Sequence, residues 1–288
     1  MKRFFFILIS ASLSVLAFYR CELLIFLGLI PFLSVLFRTD SRKRNFISGY
    51  IWGLVYFTGL CYWLLHISLL GMVFLVMYLA LYPAVFAGLC RFKSNRINIY
   101  YVSGLWITLE FLRSFLFTGF PWGYLGYALF KKTALIQIAD ITGVYGVSFI
   151  IILANCVIIY IFTKYSLRKK VLNLFVLTVI LISSLIYGSN RLKNLVPEDV
   201  ITDIALIQTN VDSYLKWDES FYRDNLERFK MLSLIAKYKD AKFIMGNIYK
   251  NTFKEIWQNN NYKNFRKKIL KSRTSIAMCK NCTEGLRV

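Results

Sequence analysis

Histidine is almost missing from this chain and acids are scarce: one His, at position 66, and 15 Asp and Glu against 36 Lys and Arg in 288 residues. A single histidine excludes a His-rich metal centre. Cys279 and Cys282 form a Cys-x-x-Cys near the C-terminus. Zinc would need further ligands than these two, and a redox pair would want a thioredoxin-like surround, so the pair reads as coincidental. Cys21, Cys61, Cys90 and Cys156 fall in or beside apolar stretches and read as small packing residues. The polar balance of a soluble protein is missing too, with 57% hydrophobic residues and a mean hydropathy of +0.52.

What is there instead is a series of long apolar stretches, several reaching the roughly 20 residues that cross a bilayer. They lie at about 4–19, 22–37, 46–65, 68–90, 97–116, 143–163 and 170–187, which predicts a helical membrane bundle of seven spans. The first follows Lys2-Arg3, as a signal peptide would, but no small-x-small cleavage site precedes Tyr19-Arg20. It therefore reads as a span. Ionisable residues inside the spans are few, and no pair of broken helices in matching halves is visible, which argues against a transporter.

The net charge of +21 suggests nucleic acid until its placement is considered. Basic residues gather in alternate loops: Lys2 and Arg3; Arg38, Arg42, Lys43 and Arg44; Arg91, Lys93 and Arg96; Lys164, Arg168, Lys169 and Lys170. The loops between carry little beyond Arg20, Lys131 and Lys132. The positive-inside rule then places the N-terminus in the cytoplasm and the chain after residue 188 across the membrane. Trp52, Trp63, Trp106 and Trp122 fall near expected span ends, where amphipathic rings favour the interface.

The loop 117–142 is too long for a simple hairpin and predicts an outer platform of short helices. Just before it, Glu110 and Arg113 stand three apart, hence on one helical face. Charges this close to lipid are expensive. They read either as an intrahelical ion pair or as support for a headgroup or catalytic-domain contact. Gln137 and Asp140 read the same way, and His66 reads as a hydrogen-bonded surface group. Glycines in Gly49-Tyr50-Ile51-Trp52-Gly53 and on to Gly59 would let helix backbones approach closely.

After Pro197 the pattern changes. Ile204-Ala205-Leu206-Ile207-Gln208 and Lys242-Phe243-Ile244-Met245 read as strands. Between them, Asp218 or Ser220 can cap a helix with an apolar stripe of Tyr222, Leu226, Phe229, Leu232 and Ala236. Strand, helix, strand opens an α/β domain.

Four segments carry a family resemblance: Gly49 to Leu64; Phe117-Thr118-Gly119-Phe120-Pro121-Trp122 with Leu125-Gly126-Tyr127; Ala139-Asp140-Ile141-Thr142-Gly143-Val144-Tyr145-Gly146-Val147-Ser148-Phe149; and Ala205 to Asn210 with Lys216-Trp217-Asp218. Together they resemble the bacterial apolipoprotein N-acyltransferases. The resemblance implies a membrane domain over 1–190 and the start of an extracytoplasmic nitrilase-like (CN hydrolase) domain over 191–245. It implies an inner-membrane location, phospholipid and lipoprotein partners, no nucleic acid and no cofactor. Phe120, Pro121, Trp122 and Tyr145 then become candidates to line the mouth of a lipid-accessible cavity, with Glu110 and Arg113 beside them. The rival reading of Pro121 and the aromatics is that they shape the loop and anchor it at the interface.

The same resemblance implies a catalytic Glu-Lys-Cys set, in which a nucleophile takes the acyl group and a base activates it. Its glutamate follows the second strand in a Trp-Pro-Glu motif. Here that place reads Met245-Gly246-Asn247, so an amide stands where the base should be. No later segment resembles the lysine or cysteine motifs. The expectation is a chain that is inactive, with a truncated nitrilase-like part and no catalytic residue. The tail 246–288 is basic, with eleven Lys and Arg against two acids across 241–288, and its apolar periodicity fades. It reads as out of frame or disordered: one base later, Met-Gly begins with a Trp codon. A genuine basic tail is the rival. A non-enzymatic membrane protein that binds lipid or lipoprotein is the alternative function.

Overall fold

The computed structural model describes residues 2–90, 97–117, 119–194, 207 and 219–238. The chain divides into two units, 1–195 and 196–288. The first is a helical bundle. Among the described residues there is no strand.

The bundle opens with α1 (Lys2–Tyr19), a 3-10 turn at Glu22–Leu24, α2 (Ile25–Gly28) and α3 (Ile30–Phe37). The chain continues through α4 (Arg42–Cys61), α5 (Leu69–Leu79), α6 (Leu81–Leu89) and α7 (Ile99–Arg113). A 3-10 turn at Leu125–Leu129 and α8 (Thr133–Ile136) lead to α9 (Ala139–Ile161) and α10 (Leu167–Lys193). Four stretches are long and apolar enough to cross a membrane: Lys2–Tyr19, Leu69–Leu89, Ala139–Ile161 and Leu167–Lys193. Helices also occupy the other three expected positions, but Glu22–Phe37 is short and broken and α7 has only 15 residues.

Local chemistry explains the starts and breaks. Ser41, Ser68 and Asn98 cap α4, α5 and α7 by accepting from Arg44 N, Gly71 N, and Tyr100 and Tyr101 N. Pro31 lies at the first turn of α3 and cannot extend the ladder back into α2. Pro83 does the same to the joint between α5 and α6. The sequence reading did not foresee these broken helices, because apolar content stays high through both prolines.

Asn155 of α9 repairs the first break. Its side-chain oxygen accepts from Leu29 N (3.1 Å), and its amide donates to Ile25 O and Ile151 O (2.9 Å each). Ile25 O and Leu29 N are the pair an unbroken helix would join directly.

Trp52 and Trp106 depart from the interfacial expectation. Trp52 is 0% exposed, stacked between Phe32 (5.3 Å) and Tyr56 (4.6 Å) and edge-on to Trp106 (5.7 Å). α4 starts at Arg42, earlier than the apolar run, so Trp52 lies mid-helix. Its indole donates to Ser10 Oγ of α1 (3.1 Å). Trp63 and Trp122 are exposed as expected. Of the cysteines in the bundle, Cys61, Cys90 and Cys156 are buried as packing residues, but Cys21 is exposed.

α1 is integrated rather than appended. Arg3 donates to Ser48 Oγ, Thr39 Oγ1, Arg44 O and Asn45 Oδ1 at 2.9–3.1 Å, fastening the start of α1 to α4. Arg3→Ala is expected to lower stability by about 1–3 kcal/mol, since hydrogen bonds to a charged donor are the stronger kind. Thermal unfolding in detergent checks this, and an unchanged midpoint would make the contacts incidental.

In the second unit, α11 (Tyr222–Tyr238) follows a 3-10 turn at Glu219–Phe221. The helix falls where the sequence predicts it. Leu226, Phe229, Leu232 and Ala236 are its less exposed side, whereas Tyr222 is exposed. Both expected strands and the tail lie outside the described residues, apart from Ile207.

Candidate functional site

The C-terminal half of α7 presents Trp106, Glu110 and Arg113 on one face, all buried. α7 ends at Arg113, and the chain reverses through a loop with Phe117 (φ 58°), Gly119 (φ 71°) and Gly123 (φ 69°) in the left-handed region. Gly119 is required there: a Cβ would strike the Ser114 carbonyl oxygen. The reversal brings 120–126 back alongside α7.

Glu110 and Arg113 do not form the intrahelical ion pair that their spacing allowed. Each holds the returning loop instead. Glu110 Oε1 accepts from Trp106 Nε1 and Leu125 N, both at 3.0 Å. Arg113 O accepts from Phe120 N (2.9 Å), and Arg113 Nη2 donates to Gly123 O (3.4 Å). Tyr56 of α4 donates to the same carbonyl (3.2 Å). The guanidinium lies 4.7 Å from the Tyr124 ring centre and 5.0 Å from that of Phe57, within cation–π range.

On this support the motif splits in two. Phe120 is half-buried and packs on the core, while Pro121 and Trp122 are exposed. Trp122 pairs with Trp63 at 5.7 Å, and Phe117, 87% exposed, meets Tyr78 edge-on at 5.4 Å. Tyr145 of α9 shares a hydrogen bond with Ser114 (2.9 Å) and contacts Phe111 and Tyr124 at 5.6 Å each. Thus Trp122 and Tyr145 lie in separate aromatic groups, with Glu110 and Arg113 behind the turn. The 117–142 region does contain short helices, as expected, but Leu125, Gly126, Ala128 and Leu129 are buried.

Other singled-out residues have plainer surroundings. Asp140 pairs with Arg191 (3.1 Å) and accepts from Tyr187 (2.9 Å). Gln137 donates to Thr133 O, one turn back. His66 is exposed, and no cluster of His, Cys, Asp or Glu able to hold a metal occurs among the described residues. Sequence reasoning missed Tyr56, Ser148 and Asn155. Ser148 Oγ accepts from Gly126 N (2.9 Å) and so pins the far end of the loop. Tyr56 and Ser148 lie within the segments that carry the family resemblance, whereas Asn155 offered only the signal of a polar group inside an apolar stretch.

Comparison with known proteins places this geometry. The model for the N-terminal domain of apolipoprotein N-acyltransferase matches residues 10–157, which contain the whole site. A curated apolipoprotein N-acyltransferase of Geobacter metallireducens is 40% identical over 230 residues, covering 73% of this chain and 43% of that protein. One of Pasteurella multocida is 28% identical over 253 residues, covering 80% and 47%. The chain spans less than half the length of these relatives. A second family model, an iron–sulfur cluster-binding domain, matches residues 229–283. The donor set there does not fit a cluster: iron–sulfur clusters take typically about four thiolates, and this segment holds Cys279 and Cys282 alone. The match over 10–157, with a relative 40% identical across most of the sequence, makes this chain a multi-pass bacterial membrane protein of the apolipoprotein N-acyltransferase family.

Proposed function

We propose that this chain carries the membrane-embedded, lipid-presenting part of an apolipoprotein N-acyltransferase and does not itself transfer an acyl group. The observation that carries the reading is the exposed aromatic turn at Phe117–Trp122, held by backbone and side-chain hydrogen bonds to α7. A fixed apolar surface at the end of a bundle suits contact with a phospholipid acyl chain or the lipid of a lipoprotein. Phe120, Pro121 and Trp122 line the mouth in this reading, Tyr145 flanks α7 in a separate aromatic group, and Glu110 and Arg113 support the turn from behind.

In this reading the bundle crosses the bacterial inner membrane seven times, with the N-terminus cytoplasmic and the chain after 188 periplasmic. The basic loops support that orientation. Residues 191–245 begin a nitrilase-like domain, and α11 supports it by occupying the expected helix position. The inactive reading rests on Asn247, an amide, standing where the resemblance places the base. In this reading the tail 246–288 is out of frame or disordered, and the family match over 229–283, which is in the frame as translated, is the observation that favours a genuine tail instead.

The test is expression of the full chain in a bacterium depleted of its own acyltransferase. Lipoproteins are expected to stay diacylated, with phospholipid co-purifying with the chain and lost on Trp122→Ala plus Phe117→Ala. Restored N-acylation would overturn the inactive reading, and unchanged lipid retention in the variant would overturn the role of the turn.

A further inference from the structure

A cleft lies at the end of the bundle away from the aromatic turn. It is where α7 begins, whereas the turn follows the end of α7, about 22 Å away along 15 helical residues. Asn98 and Tyr100 at the start of α7, Tyr160 of α9, and Lys169, Leu172 and Asn173 of α10 line it. The three α10 residues share one helical face by their spacing. The cleft holds about 230 Å³, room for a headgroup where one water would need only about 10–15 Å³. Specific contacts fix its walls. Tyr165 Oη accepts from Ile97 N, and the Tyr165 ring stacks on Tyr160 at 4.3 Å. Tyr100 donates to Asn173 Oδ1 (3.0 Å), joining the start of α7 to α10.

The lining is chemically one-sided. Asn98 Oδ1 accepts from Tyr100 N and Tyr101 N, and Asn173 Oδ1 accepts from Tyr100. With both oxygens taken, what remains of each amide is its NH2, a donor. Lys169 adds an ammonium that forms no ion pair among the described residues. Arg168 and Lys170 flank it in sequence. No Asp or Glu occurs between Asp40 and Glu110 or between Asp140 and Glu198. Glu110 is twelve residues from Asn98, about 18 Å along α7, and Asp140 is at the far end of α9. Donors and positive charge therefore meet in the cleft with no carboxylate to balance them. Apolar surface begins in the same place. Leu172, Phe175 and Val179 recur at helical spacing along α10 and are 59%, 63% and 47% exposed.

We infer that this cleft binds the phosphate-bearing headgroup of an anionic phospholipid, with its acyl chains lying along Leu172, Phe175 and Val179. Lys169 balances the charge, and the Asn98 and Asn173 amides donate to phosphate oxygens. The charge alone would suit free phosphate. The apolar stripe that starts at Leu172 selects a ligand whose anionic group carries a hydrocarbon tail. This lipid is separate from any held at the aromatic turn, since it occupies the opposite end of α7. Its assignment to the cytoplasmic leaflet rests on the proposed orientation; the cleft itself does not.

The experiment is native mass spectrometry of the full chain released from detergent micelles. The chain is titrated with phosphatidylglycerol, which is anionic, with zwitterionic phosphatidylethanolamine, and with inorganic phosphate. Phosphatidylglycerol is expected to bind at least about fivefold more tightly than phosphatidylethanolamine, the worth of one basic residue near an anionic membrane surface. Lys169→Gln is expected to abolish that preference. Asn173→Asp keeps an acceptor for Tyr100 but replaces the donor by a negative charge, and is expected to weaken phosphatidylglycerol binding at least as much. Arg168→Gln makes the same change of charge as Lys169→Gln, at a residue outside the cleft lining, and is expected to leave the preference in place. Equal binding of the two lipids by the unaltered chain overturns the proposal, whatever the variants do. A loss in Arg168→Gln as large as in Lys169→Gln also overturns it, because the basic surface would then be diffuse. Displacement of the lipid by inorganic phosphate would make free phosphate the occupant and overturn it too. Phe117→Ala plus Trp122→Ala is expected to keep this lipid while losing the one at the turn, so failure of the lipid-presenting reading and failure of this cleft are read separately.

Discussion

Replacing Asn155 by leucine will cost the bundle roughly 3 kcal/mol, the largest single-residue loss expected among its polar side chains. The side chain is nearly isosteric with its replacement, so little of the effect comes from volume. It comes from two backbone groups, Ile25 O and Leu29 N, that lose their partner together. Water can reach neither, since Ile25, Leu29 and Asn155 are all fully buried. In the hydrocarbon region an unpaired backbone group has no alternative. Unfolding by sodium dodecyl sulfate from bicelles, followed by circular dichroism, measures the loss. A change below about 0.5 kcal/mol, no more than an average interhelical hydrogen bond in a membrane, would mean that the α2–α3 break is satisfied some other way. Asn155→Gln is expected to fall between, because it keeps the amide but moves it by one methylene.

The second large effect is steric. α4 and α6 touch through Gly49 and Gly53, which lie on one face four residues apart. A Cβ at Gly49 would collide with the Pro83 carbonyl oxygen and come within 2.7 Å of Ala87 Cβ. One at Gly53 would lie 2.6 Å from Pro83 Cγ and 2.8 Å from Ala80 Cα. The obstacles are backbone and a proline ring, which cannot swing aside. Gly49→Val should cost at least about 3 kcal/mol, the upper end of ordinary overpacking, or prevent accumulation of the folded chain. Gly104→Ala is the control. Nothing lies within 4 Å of a Cβ there, so the change should be neutral or stabilise by about 0.5–1 kcal/mol through the helix preference for alanine. The same detergent titration compares the two. Equal effects would show that α4 and α6 do not meet as described.

Much of the bundle was legible before any coordinates, because hydropathy and helix period are properties of neighbouring residues. Expected stretches at 4–19, 46–65, 143–163 and 170–187 differ from the observed helices mainly at their ends. The glycines of α4 announced a close helix contact, and the exposed Trp63, Trp122 and His66 lay where loop chemistry suggested. The error at the two buried tryptophans has one cause. Trp52 and Trp106 were assigned to the interface because distance along the chain from an apolar run does not say which way a helix face points. Inside the bundle they form an aromatic core with Phe32, Tyr56 and Phe86.

Glu110 and Arg113 show the same limit at the site. Spacing placed them on one face, which is correct, but besides Trp106 on the same helix their partners are backbone atoms of Gly123 and Leu125 delivered by a chain reversal. By itself the sequence determined the membrane class, the positions of most helices and the family motifs, since each is carried by short-range pattern or residue identity. Only the tertiary structure decided which polar groups satisfy one another: Arg3 with Asn45, Trp52 with Ser10, Asn155 with Ile25 and Leu29. Those pairings span tens to more than a hundred residues. In a core without water, each buried donor must find its acceptor on whichever helix packing brings near.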